Sequence, residues 1–192
     1  MSLTFKQDVG VFVALAILMG VTRFHHFEPL PDASWAVYFA AGFYLRRHAR
    51  WVLPSLLIEA LLIDYIATRY MGVSSYCLTP AYWAVVPGYA ALFVAGSWLG
   101  RGYRGRMLDL WRLAAALFVG TSVCYLVTNG AFYWFSGYAV DPGLAGYAQN
   151  FLRYYGDFLL VPAIYAALGV AVHGCLAQGI RILGPGKGGA EA

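Results

Sequence analysis

LAAALFVGTSVCYLVTNGAFYWFS, residues 113–136, contains no charged side chain. A helix needs about 20 apolar residues to cross the hydrocarbon of a bilayer, and this stretch supplies them. Asn129-Gly130 and the aromatic run Phe132-Tyr133-Trp134-Phe135 close it, as residues of an interfacial aromatic belt would. Runs of the same kind recur at Val9–Thr22, Ala33–Leu45, Trp51–Thr68, Leu78–Gly100 and about Phe158–Gln178, each bounded by charge or by Pro and Gly. The first can lengthen towards Leu3 with Lys6 snorkelling. The second, which ends at Arg46-Arg47, is expected to be tilted or shorter than the bilayer. The pattern predicts an all-α, polytopic membrane protein with six transmembrane helices in one domain spanning 1–192. Residues 1–8 and 179–192 are read as short cytoplasmic tails.

Composition agrees. Of the 192 residues, 61% are hydrophobic and 11% charged, with mean hydropathy +0.63; soluble domains carry about 25% charge. Thirteen basic and nine acidic residues cannot build the charged shell of a soluble enzyme. A disordered tail and a nucleic-acid module are excluded on the same grounds, and no nucleic-acid partner is expected. The three cysteines, Cys77, Cys124 and Cys175, form no C-x-x-C pair and no even-numbered framework, which argues against disulfides and a structural zinc. The first apolar run leads straight into Arg23-Phe24-His25-His26 with no small-x-small cleavage site, so it reads as a retained helix.

The surplus of four positive charges is distributed unevenly. With both termini in the cytoplasm, Lys6, Arg46, Arg47, Arg50, Arg101, Arg104, Arg106, Arg112, Arg181 and Lys187 fall inside, and Arg23, Arg69 and Arg153 outside. That bias predicts N-in, C-in topology. The outer loops are then Arg23–Asp32, Arg69–Cys77 and Gly137–Asp157, the last long enough to form a lid. Gly10/Ala14, Ala16/Gly20, Gly96/Gly100 and Ala167/Ala171 are small-xxx-small pairs that let helix backbones approach. Pro54, Pro87 and Pro162 lie within runs, so kinks are expected.

Scarce charge narrows the search for chemistry to a few groups. Cys77 sits at the outer mouth of the fourth run, in Ser74-Ser75-Tyr76-Cys77-Leu78-Thr79-Pro80. A thiol beside a helix N-terminus is biased towards thiolate, a soft metal ligand or a nucleophile; the other reading is an incidental loop thiol. Cys124 and Cys175, mid-run, read as inert core. Glu59 and Asp64 are acids inside the third run, where charge is costly and faces the bundle interior or water. Asp64, nearer the outer end, can reach the same vestibule as Cys77; Glu59 is expected to pair with a polar group on a neighbouring helix. His25 and His26 are adjacent and point apart on most backbones, so the segment reads as an interfacial loop with an Arg–Glu pair. Tyr147, Tyr154 and Tyr155 could line a pocket for a large amphipathic ligand. Gly184-Pro185-Gly186-Lys187-Gly188 lacks the Ser/Thr and the spaced first Gly of a phosphate loop and reads as a tail. No H-E-x-x-H or G-x-S-x-G occurs.

Six short helices, N-in and C-in, without an ATPase motif, resemble the substrate-binding S-component of an energy-coupling-factor (ECF) vitamin transporter. Three stretches sharpen the likeness: Arg23-Phe24-His25-His26-Phe27 followed by Pro31-Asp32-Ala33-Ser34; Ser75-Tyr76-Cys77-Leu78-Thr79-Pro80-Ala81-Tyr82-Trp83; and Thr128-Asn129-Gly130 through Tyr154. Together they resemble the BtuM family, solitary S-component-like transporters of vitamin B12 (cobalamin) in the inner membrane of Gram-negative bacteria. The resemblance implies an outward-facing cobalamin pocket in which Cys77 ligates cobalt directly and promotes decyanation of cyanocobalamin. Around that pocket, from topology, come Asp64, Tyr82, Trp83, Asn129, Tyr133, Tyr154 and Asp157. An energising ATPase module is a possible partner. The Ala-xxx-Ala pair that docking S-components carry in their first helix is replaced here by Gly10/Ala14 and Ala16/Gly20, which leaves docking open. Alternatives are a membrane enzyme using Cys77, an S-component for another vitamin with Cys77 incidental, and a structural membrane subunit.

Overall fold

Apolar runs become helices, and the charged and glycine-rich punctuation becomes turns. The computed structural model describes residues 4–24, 31–72, 79–139 and 142–183, with side chains as far as residue 175. Six α-helices lie within them: α1 (Phe5–Phe24), α2 (Ser34–Leu45), α3 (Ala49–Tyr70), α4 (Val85–Gly102), α5 (Met107–Phe135) and α6 (Leu144–Leu183). Single 3-10 turns at Arg46–His48 and Pro80–Ala84 precede α3 and α4. Five helical stretches are long and apolar enough to cross a membrane: Phe5–Phe24, Ser34–Tyr70, Pro80–Gly102, Met107–Phe135 and Leu144–Cys175. Ser34–Tyr70 is not one rod. Arg23 hydrogen-bonds to Ser34 at the start of α2 and to Asp64 near the end of α3, so the chain reverses at Arg46–His48. With 12 residues, α2 rises about 18 Å, short of the ~30 Å hydrocarbon layer.

Two expectations are corrected. The lid predicted for Gly137–Asp157 is mostly helix, because α6 begins at Leu144 and runs for 40 residues. Glycines and charges in that segment mask its helical spacing of aromatics: Tyr147, Phe151, Tyr155 and Phe158 recur every three or four residues and pack on α5. Pro87 lies in the first turn of α4, where proline is tolerated, whereas α3 and α6 do run through Pro54 and Pro162.

Glycine decides the closest helix contact. A Cβ on Gly42 would overlap the Phe93 carbonyl, and Cβ atoms on Gly96 and Gly100 would overlap the carbonyls of Phe39 and Phe43. Without side chains there, α2 and α4 touch backbone to backbone. They run parallel, with Tyr38 against Tyr89 at one end (centroids 4.2 Å apart) and Phe43 against Gly100 at the other. The core they share with α1, α3 and α5 contains Met19, Tyr38, Leu56, Leu92 and Cys124. Outside the bundle, large apolar side chains such as Ile17, Val94, Phe118 and Leu160 are exposed, the surface that a hydrocarbon solvent calls for. Gly10, by contrast, faces open space.

Candidate functional site

At one end of the bundle four helices meet at a single guanidinium. Arg23, in the last turn of α1, is 5% exposed. It holds Asp64 of α3 in a two-pronged contact, Nε to Oδ1 at 2.7 Å and Nη2 to Oδ2 at 2.6 Å. Its third nitrogen, Nη1, donates to Ser34 Oγ at 2.8 Å, to the Tyr89 hydroxyl of α4 at 3.0 Å and to Asp32 at 3.1 Å. Planar, forked geometry is what lets one arginine address so many acceptors. The Tyr82 hydroxyl, from the Pro80–Ala84 turn, donates to Asp64 Oδ2. Asp32 in turn accepts from the Ser34 N–H at 2.9 Å and the Ser34 hydroxyl at 2.6 Å, which places a carboxylate at the N-terminus of α2, where the helix dipole favours it. Thr22, beside Arg23, accepts from the Ala33 N–H at 3.1 Å.

In a water-poor interior such charges persist only when paired and hydrogen-bonded. Asp64 meets that condition through three donors, two from Arg23 and one from Tyr82. Its carboxylate is therefore committed, and it acts by holding Tyr82 and the turn that follows residues 73–78. Above this layer α5 and α6 continue as an extension, with the Pro80–Ala84 turn packed against α5. Gly88, next to Tyr89, faces Cys124 and Thr128, so the α5 residues past Thr128 lie beyond the Arg23 layer. Aromatic rings join this extension: Tyr125 with Phe151 (4.9 Å), Tyr155 (5.5 Å) and Phe158 (4.9 Å), and Tyr133 with Tyr147 (5.4 Å).

The residues expected from sequence fall into two groups. Asp64 and Tyr82 are bonded together, with Trp83 beside them and 67% exposed. Asn129, Tyr133, Tyr154 and Asp157 belong to the extension: Asn129 accepts from Asn150 at 3.2 Å, Tyr133 donates to the Gly143 carbonyl at 3.2 Å, Tyr154 lies under the Arg153 guanidinium at 5.5 Å, and Asp157 is exposed. Among the described residues no hydrogen bond links the two groups. Cys77, His25, His26 and Glu28 lie outside the described residues. Cys124 is fully buried, as expected, but Cys175 is exposed. Glu59 was expected to find a polar partner on a neighbouring helix; among the described residues it has no hydrogen bond or ion pair, and its Oε1 faces Gly20. Sequence reasoning assigned Arg23 to a loop pair and missed its role as the hub, together with Ser34 and Tyr89. The only available signal was an arginine ending one apolar run and an aspartate inside another.

No family model matches the chain, and no curated protein matches it in sequence.

Proposed function

We propose that the chain binds cobalamin and carries it across the bacterial cytoplasmic membrane, with six spanning helices, both termini inside, and Cys77 as axial cobalt ligand. The reading starts from the resemblance of three stretches to the BtuM family. The observation that carries it is the bonded pair Asp64–Tyr82: two residues assigned to the pocket from sequence are hydrogen-bonded to each other, Asp64 being held in turn by the buried Arg23, and Tyr82 follows Cys77 by five positions. The distribution of basic residues supports the orientation, which makes the Arg23 end the outer one. A sulfur donor on one axial face of cobalt weakens the bond on the opposite face, so loss of cyanide from cyanocobalamin belongs to the same reading. Without a phosphate loop the chain alone equilibrates its cargo. Accumulation requires an ATPase partner or chemical change of the cargo inside.

The test is the visible spectrum of the purified protein with added cobalamin. Wild type is expected to show thiolate–cobalt absorbance, Cys77→Ala to lose it, and Cys175→Ala to keep it. An unchanged spectrum in Cys77→Ala overturns the cobalt ligand; absence of any corrinoid binding by wild type overturns the function.

A further inference from the structure

The two halves of the α5–α6 interface are built differently. In the outer half it is filled by the aromatic rings described above and by the Ser122–Tyr155 hydroxyl contact at 2.6 Å. In the inner half α6 offers mainly Ala163, Ala166, Ala167 and Val170 against Leu110, Leu113, Leu117 and Phe118 of α5, and a crevice of about 490 Å³ remains between them. From Leu110 to Thr121 it extends about 17 Å at 1.5 Å per residue, close to half of the ~30 Å hydrocarbon layer, the depth of one leaflet. Its apolar lining and one-leaflet length match a single acyl chain.

Its inner mouth is strongly basic. Immediately before Leu110, the Asp109 carboxylate is taken by the backbone N–H groups of Arg104 (2.8 Å) and Arg106 (3.0 Å) and by the Arg112 side chain (3.2 Å). That geometry folds the connection between α4 and α5, where Arg104 and Arg106 are exposed beside Arg101, itself exposed in the last turn of α4. Among the described residues none of the three is in a salt bridge. Trp98, under the Arg112 guanidinium at 5.2 Å, and Trp111, 78% exposed, flank the same level, as aromatic residues do at headgroup depth.

We infer that this is a site for an anionic phospholipid, with one acyl chain in the α5–α6 crevice and the phosphate on Arg104 and Arg106. In the orientation proposed above it lies in the cytoplasmic leaflet, where such lipids meet basic residues. The site is separate from the Arg23 cluster at the other end of the bundle and does not depend on what that cluster binds.

The experiment measures lipid retention by native mass spectrometry on the full chain in a neutral detergent. Phosphatidylglycerol and phosphatidylcholine with the same chains are the probes. Each arginine at an anionic lipid surface is worth on the order of fivefold in affinity, so phosphatidylglycerol is expected to be retained at least several-fold more strongly. Arg104→Gln with Arg106→Gln should reduce it to the phosphatidylcholine level. Ala163→Phe with Ala167→Phe should fill the crevice and abolish retention of both lipids, while melting near the wild-type temperature. Equal retention of the two lipids by wild type overturns the headgroup site. Undiminished phosphatidylglycerol on the crevice-filled variant overturns the acyl seat. Glycerol phosphate stabilising the protein as well as phosphatidylglycerol reduces the feature to a surface phosphate contact and overturns the proposal. If the crevice-filled variant fails to fold, the arginine pair still decides.

Discussion

Removing the Arg23 guanidinium while leaving its partners in place should be among the most damaging single changes at this end of the bundle. Arg23→Met deletes five hydrogen bonds at 2.6–3.1 Å and strands the Asp64 carboxylate, itself 9% exposed, with only Tyr82 as donor. Breaking one side of a buried ion pair costs about 3–5 kcal/mol, because a charge remains without compensation. At about 2–4 °C per kcal/mol for a chain of this size, the melting temperature should fall by on the order of 10 °C. Asp64→Leu alone should do comparable damage, since it strands the guanidinium. The double variant, Arg23→Met with Asp64→Leu, removes both charges and leaves Asp32 bonded to Ser34. It then carries only the cost of unpartnered Tyr82 and Tyr89 hydroxyls, about 1–3 kcal/mol each. Its losses should therefore fall well below the 6–10 kcal/mol that adding the singles implies. Thermal unfolding in detergent, followed by tryptophan fluorescence, reads all three. Strictly additive losses, or single variants that melt with wild type, would refute the claim that the pair is buried and mutually dependent.

Tyr82→Phe keeps the ring and deletes one donor to an Asp64 that Arg23 still holds; a loss of about 1 kcal/mol, or roughly 2–4 °C, is expected in the same assay. Gly96→Ala should cost far more than its size suggests, because the new Cβ overlaps the Phe39 carbonyl of α2; Gly10→Ala, facing open space, should gain up to about 1 kcal/mol from helix propensity. Equal shifts for these two would show that α2 and α4 are not in backbone contact. Tyr125→Ala removes the ring shared by Phe151, Tyr155 and Phe158. Hydrogen exchange should then rise in 144–158 before it rises in α2 or α4; unchanged exchange there would mean that the rings do not hold the extension.

Much of the architecture was legible because the signal was local. An uncharged run such as Leu113–Ser136 is a helix on its own evidence, and Arg46-Arg47 marks a turn because two guanidiniums end an apolar stretch. What was lost was masked locally or decided elsewhere. Gly146, Arg153, Gly156 and Asp157 made the start of α6 read as a loop, although its aromatics already kept helical spacing. Leu78–Gly100 looked like one run, but a 3-10 turn precedes α4. The site was partly legible for the same reason. Asp64 could be singled out as an acid in an apolar run, yet its partner is 41 residues away in sequence, and no spacing rule pairs residues at that distance.

The fate of Asp64 changes what it can do for a ligand. A free carboxylate at this end of the bundle could approach a metal or take a proton. This one accepts from Arg23 twice and from Tyr82 once, so recruiting it would require a guanidinium to lose its main partner inside an apolar bundle, at the several kcal/mol estimated above. The same bonds give it a different use. Through Tyr82 it fixes the Pro80–Ala84 turn, and through Arg23 it fixes the last turn of α1 and the start of α2. These are the described ends that flank residues 25–30 and 73–78, the segments that contain His25, His26 and Cys77. In the function proposed above, a thiolate that meets cobalt in one orientation needs an anchor that stays still, and a buried, fully engaged salt bridge provides one. On this argument Asp64→Asn should disturb the yield and geometry of the Cys77 adduct, seen as a shifted or weakened thiolate–cobalt band, while corrinoid binding itself persists. Complete loss of binding in Asp64→Asn, with the protein still folded, would instead make Asp64 a direct ligand contact.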